Sequence, residues 1–451
     1  MILPLININT DRSIADKIRL CFWVYLLLLI FEGAIRKWFL PQFSNLFLVA
    51  RDPIVLYVIF LTFKYNLKRN LIINSLFIFS FISFVLTLLF GHHNIIVALY
   101  GVRVIFLHLP CIFIFGKVIN RDDIHLIGKV IIYISVLMFI IIALQYFSSK
   151  TSWINVGTGG QGTASFSGIN GFMRPSGTFS FISGLVEFQL LAGLYLFYYL
   201  YNNKNISKKY RLSNVALFIF VIIFCFSIML CLSRTIVFQI LLMFIAMMAY
   251  MIYRNENIER IIYITILLLI SFIVLFYIDT FKLALDNVFI RFENASKSEG
   301  DIIGGSLGNR YLGSFYRAFF DTQNNTNQEI PFLGFGLGIG TKVGEQILGI
   351  HIAGHTFAFA EEEWSRIVCE VGLLQGIVFL LGFRLIYPIY LVLNALKYIK
   401  KDIFLYFSIF PFLMFIINAQ WSVPTTLGFT VVFSTLFIAA FNQNKFHKYK
   451  R

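Results

Sequence analysis

The stretch LIINSLFIFSFISFVLTLLF, Leu71–Phe90, runs without a single charged residue. A bilayer's hydrocarbon core is about 30 Å thick and takes roughly 20 helical residues to cross. A run of this length therefore predicts a membrane-spanning helix. Working outward from it, similar runs recur along the chain. About twelve spans are expected by the same length rule, near residues 18–31, 46–63, 71–90, 95–118, 124–147, 181–201, 213–232, 235–253, 261–277, 366–391, 403–418 and 423–441. The first of them lacks a small-residue cleavage site and reads as a span rather than a cleaved signal. The composition agrees. Of 451 residues, 59% are hydrophobic and 13% charged, with 53 phenylalanines. Soluble domains carry about 25% charged residues. The expected architecture is a single all-α polytopic membrane domain over residues 1–451.

The net charge of +15 would suggest nucleic acid in a soluble chain. Here the basic residues fall into short gaps between apolar runs. Alternate gaps hold Lys64, Lys68 and Arg69; Lys117 and Arg121; Lys204, Lys208, Lys209 and Arg211; Arg254 and Arg260; Lys397, Lys400 and Lys401. The tail adds Lys445, Lys448, Lys450 and Arg451. This is the positive-inside pattern. It predicts both termini in the cytoplasm and makes nucleic acid an unneeded partner. The five cysteines, Cys21, Cys111, Cys225, Cys231 and Cys369, all lie in apolar runs and read as packing residues.

Two segments on the other side are long: 148–180, rich in Gly and Ser, and 279–365, the largest polar stretch, expected before the tenth span. Loops of this length are usually functional or disordered. The apolar patch at 330–339 is expected to return to the membrane surface. These segments carry arginines against the orientation rule: Arg174 in the first, Arg291, Arg310 and Arg317 in the second. Long loops escape the rule, which accounts for Arg291 as a solvated charge and offers the same explanation for Arg310 and Arg317. It does not account for Arg234, whose gap is only a few residues long. Arginine suits planar, bidentate phosphate recognition, so Arg174, Arg234, Arg310 and Arg317 are the candidate anion ligands.

The stretch AEEEWSRIVCE, 360–370, opens the tenth span. On a helix, Glu363, Arg366 and Glu370 share one stripe, and Glu362 stands i, i+4 from Arg366. Acids in a first turn also serve as simple dipole caps, which covers Glu361 and Glu362. Glu370 lies deeper, where a charge is costly unless paired. His351 and His355 are spaced i, i+4, but no HExxH motif or acidic cluster stands nearby, so no metal is expected. His355 is instead read as a proton carrier or phosphate donor. GFGLGIG, 334–340, matches dinucleotide loops only superficially, because no strand precedes it.

These residues resemble the O-antigen polymerase/ligase family of bacterial envelope glycan assembly. RPSGTFS at 174–180 is similar to its arginine-containing loop, LSRT at 232–235 to its serine–arginine turn, and PFLGFGLGIGT at 331–341 to its glycine-rich segment. HTFAFAEEEWSRIVCEVGLLQGI at 355–377 is similar to its lead into a late span, and FEGAIRKWFLP at 31–41 to a polymerase-like subgroup. The resemblance implies a glycosyltransferase C-like fold in the bacterial cytoplasmic membrane, with its active face outside the cytoplasm. It implies catalysis without metal, cofactor or nucleotide sugar. The donor would be an oligosaccharide on undecaprenyl diphosphate. A polymerase passes the glycan to the next lipid-linked unit; a ligase passes it to lipid A core or a protein. The chemistry so implied assigns diphosphate binding to Arg174, Arg234, Arg310 and Arg317. Proton acceptance falls to Glu361, Glu363 or His355, with Arg366 binding phosphate or holding Glu363 and Glu370. A chain-length regulator is a conceivable partner. A lipid-linked oligosaccharide flippase is the rival outside the class; it would concentrate charge along a central cavity rather than in outer loops.

Overall fold

The structure, a computed structural model, describes residues 12–65, 67, 71–160, 166–255, 258–299, 313–318, 331–349 and 362–449. Among them, extended pairing is limited to one antiparallel bridge, Ser167 to Met173; the rest is helix and connecting loop. Among the described residues nine helices are long and apolar enough to cross a membrane, or up to ten if a bent pair counts as one. The protein is a multi-pass helical membrane protein. The remaining expected spans are shorter or bent. Helix α7 (Asn214–Leu230) has 17 residues and α14 (Ile403–Asn418) has 16. Helix α9 (Ile258–Phe276) meets α10 (Asp279–Glu299) at a bend of 102°.

The core is built on two helices that other helices surround. Helix α6 (Ile182–Asn202) is mostly apolar and buried on every face along nearly its whole length, as expected of a helix without a solvent side. Helix α15 (Pro424–Tyr449) packs against α6, against α14 and against α4 (Ile95–Val118). At one end of the bundle the helix starts are pinned by capping. Asn120 and Asp123 form a reciprocal capping box at the start of α5 (Arg121–Phe147), which satisfies two orphan amides. Asp402 caps α14 and takes both Arg121 Nη atoms, at 2.7 and 2.8 Å, together with the Asn444 amide at 2.6 Å. One carboxylate thus ties α5, α14 and α15.

At the opposite end, which carries residues 148–180, helix α1 (Arg12–Ala34) widens into a π-turn over Ile35–Phe39. Glu32 sits between Arg36 at 3.3 Å and Arg51 at 3.2 Å. Arg51 also donates to the Pro424 carbonyl at 2.7 Å, which anchors the start of α15.

Helix α12 (Glu363–Ile377) departs from the single continuous span expected at 366–391. Gly372 has φ +82 and ψ 169 and breaks it. The freed carbonyls of Cys369 and Glu370 accept from Phe335 N (2.8 Å) and Gly336 N (3.0 Å). The glycine-rich segment is therefore a backbone strap that satisfies a broken helix. Gly334, Gly336 and Gly338 all have positive φ, which only glycine adopts cheaply. A Cβ on Gly338 would strike the Val97 carbonyl. The strap packs into the protein. Leu337 is fully buried, its amide donating to Thr87 Oγ1 at 3.0 Å and its carbonyl 2.9 Å from His92 Nε2. His92, for which the sequence offers no partner, thus has one.

Candidate functional site

Arg174 owes its place to a small hairpin. Gly168 N donates to Phe172 O and Arg174 N to Phe166 O, with Asn170 and Gly171 at positive φ in the turn. The hairpin rests on the turn between α7 and α8 (Arg234–Tyr253), where a Cβ on Gly168 would meet Leu232. Asn170 Nδ2 donates to Asn287 Oδ1 at 2.8 Å, and Asn287 Nδ2 to the Tyr146 hydroxyl at 2.8 Å. Asn287 thereby fixes α10 against the hairpin and α5. Arg291, one turn beyond Asn287, is carried to the same place.

Arg174, Arg234 and Arg291 therefore gather at one end of the bundle. Burial, then the positive charges of Arg291 and Arg234, push the Arg174 guanidinium down to about 10. Its Nε is buried and has no hydrogen-bond partner among the described residues. No ion pair there joins Arg174 or Arg291 to a carboxylate. Arg291, expected to be a solvated surface charge, is partly buried beside the other two. Like charges held close together raise each other's energy, so an anion would be favoured beside Arg174 and Arg291.

The first helix supplies a further cation. Lys37 is buried and donates to Ser176 Oγ at 3.1 Å and to the Gly177 carbonyl at 2.6 Å. Arg36 donates to Ser180 Oγ at 3.2 Å, and Thr178 Oγ1 donates to the Ile30 carbonyl. A Cβ on Gly33 would strike the backbone of Thr178 and Ser180. The segments 31–41 and 174–180, far apart in the chain, are thus one packed unit. A small polar cleft opens between them, with Lys37, Gln145, Asn155, Arg174 and Ser180 among its lining. Lys37 and Arg36 were missed by the search for arginines in loops. The signal was there: a basic pair at the far end of the first span runs against the orientation rule as Arg234 does.

The acidic stretch forms a separate centre. Arg366 Nη2 donates to Glu363 Oε1 at 2.7 Å, and its Nη1 donates to Glu370 Oε1 at 2.7 Å. All three residues are buried. Glu370 Oε2 accepts from Gly338 N at 2.8 Å, which fastens the strap. Arg384, invisible as a partner in the sequence, approaches Glu363 at 3.6 Å and stacks 3.9 Å above the Trp421 ring. Arg317, a candidate diphosphate ligand, pairs with Glu362 at 2.6 Å. Glu361, His351, His355 and Arg310 lie outside the described residues. Among the described residues no group of three His, Cys, Asp or Glu side chains could hold a metal.

Of the expected anion ligands, then, Arg174 and Arg234 come together, joined by Arg291 rather than Arg317. Glu363 and Arg366 are committed to each other. No protein-family model matches the chain, and neither does any curated protein or solved structure.

Proposed function

We propose that the protein is a surface-polysaccharide polymerase of the O-antigen type, a glycosyltransferase that lengthens glycans carried on undecaprenyl diphosphate. In this reading it spans the bacterial cytoplasmic membrane about twelve times, in a glycosyltransferase C-like arrangement. Both termini are cytoplasmic, and the end bearing residues 148–180 faces outward. The observation that carries the reading is the gathering of Arg174, Arg234 and Arg291 at one end of a membrane bundle, with the buried Nε of Arg174 left without a hydrogen-bond partner among the described residues. A lipid diphosphate presented at the bilayer surface supplies the matching charge.

The reaction needs little covalent help. The bond between the donor's anomeric carbon and its phosphate oxygen breaks. The acceptor sugar hydroxyl forms the new glycosidic bond and gives up its proton. The diphosphate leaves bearing the charge that the arginines stabilise, so catalysis is mainly positioning and electrostatics. Glu363 is committed to Arg366, whose other partner Glu370 fastens the strap, which leaves Glu363 poorly disposed to take the proton. That task passes to Glu361 or His355.

The test is a deletion strain of the parent bacterium, with its surface glycan resolved by size. The proposed function predicts single repeat units in place of the ladder. An intact undecaprenyl-linked polymer that fails only to reach its final acceptor would mark a ligase instead.

A further inference from the structure

We propose that Lys37 and Arg174 form a phosphate-binding pair that seats one phosphate group in the polar cleft between the end of the first helix and residues 174–180. The ligand class rests on the proposed function; the site itself rests on its own geometry.

Lys37 is 3% exposed. Its ammonium group meets Ser176 Oγ, the Gly177 carbonyl and, at 4.7 Å, the Trp38 ring, but no carboxylate among the described residues. A buried charge left without a counter-charge is costly. The other deeply buried cations of the bundle are compensated. Arg51 has Glu32, Arg366 has Glu363 and Glu370, and Arg384 has two carbonyls, the Trp421 ring and Glu363. Lys37 and Arg174 stand apart from this pattern, and they line the same cleft.

The neutral groups around them hold the shape of the cleft. The Gln145 amide is spent on the Ile154 and Gly177 carbonyls and on the amides of Ser176 and Gly177. Asn155 Nδ2 is spent on the carbonyls of Gln145, Ser148 and Ser149. The Nε of Arg174 is left without a hydrogen-bond partner among the described residues. Arg291 beside Arg174 adds to the positive field there. A guanidinium fork with a lysine point charge is a pairing suited to phosphate oxygens. Lys37 also sits in a π-turn, a distortion frequent at functional sites.

The test uses the full chain in phosphatidylcholine nanodiscs and follows thermal unfolding with inorganic pyrophosphate added. Pyrophosphate should raise the unfolding temperature of the wild type. Lys37→Met should unfold no earlier than wild type without the anion, because it removes an uncompensated buried charge and Gly177 O keeps Gln145. It should bind pyrophosphate about tenfold more weakly or worse. Arg174→Gln should weaken binding similarly, and Lys37→Arg should keep part of it. A second set of nanodiscs containing phosphatidylglycerol distinguishes the source. A rise there instead, dependent on the same two residues, upholds the site and assigns the phosphate to bilayer lipid. Wild type that responds in neither arm overturns the proposal, and so do Lys37→Met and Arg174→Gln variants that respond like wild type. If Lys37→Met does not fold, the lysine is structural and the pair is overturned, unless Arg174→Gln and Lys37→Arg fold and shift the response as stated. A chain that binds pyrophosphate through Lys37 yet makes no polymer keeps this site and loses the proposed function. A chain that polymerises unimpaired as Lys37→Met does the reverse.

Discussion

Replacing Arg366 by methionine keeps most of the side-chain volume and removes the charge at the centre of the acidic cluster. The change deletes the bonds to Glu363 at 3.2 and 2.7 Å and to Glu370 at 2.7 Å. What remains for Glu363 is Arg384 at 3.6 Å, and for Glu370 the Gly338 amide at 2.8 Å. Both carboxylates stay buried. Stranding a buried partner in this way costs about 3–5 kcal/mol, a large part of a typical protein's net stability. The expected result is a clear drop in unfolding temperature in detergent and reduced abundance in the membrane, with activity falling in proportion to folded protein. Glu370→Gln should cost less, because the amide oxygen still accepts from Gly338 N. The reasoning fails if Arg366→Met accumulates and unfolds like wild type but transfers no sugar, since Arg366 would then be touching substrate.

Arg234→Ala should slow glycan transfer about tenfold to a hundredfold, the loss of one charge-assisted contact of roughly 1.5–3 kcal/mol. Arg234→Lys should recover only part, because the point charge lacks the planar fork; normal polymer from Arg234→Ala at normal protein level would remove it from the site. Gly372→Ala should undock the strap, because the new Cβ meets the Phe332 carbonyl at a φ of +82; limited proteolysis between residues 331 and 341 reads this out, and wild-type resistance would show that the helix break tolerates a side chain. Single cysteines at positions 205 or 399 should label only after permeabilisation, and those at 160 or 325 from outside; outside labelling at 205 would invert the orientation and the reading of both loops.

Hydropathy made the helices legible because each long span is a local property of its own twenty or so residues. The same locality exposed Glu363, Arg366 and Glu370, which share a stripe on one helix. Partners brought by long-range packing were not legible. Arg384 meets Glu363 only because α12 is interrupted and the chain beyond it runs back beside α14. The strap's role depends on a break at Gly372 that no hydrophobic period reports. Arg291 was misread for a related reason. Residues in long loops are excused from the orientation rule, but Asn287 ties this particular helix to the hairpin of Asn170. Lys37 was missed because attention stayed on arginines within loops, although a basic pair at the far end of the first span breaks the expected charge alternation in the same way.

The most direct measurement supplies the purified protein, in lipid, with a single undecaprenyl-diphosphate-linked repeat unit and no metal or nucleotide sugar. Polymerase activity predicts a ladder of lengthening lipid-linked glycans, with one undecaprenyl diphosphate released for each bond formed and the ladder weakened in Arg174→Gln and Arg234→Ala. Substrate that crosses the bilayer without lengthening, or that is transferred only to added lipid A core, would contradict it.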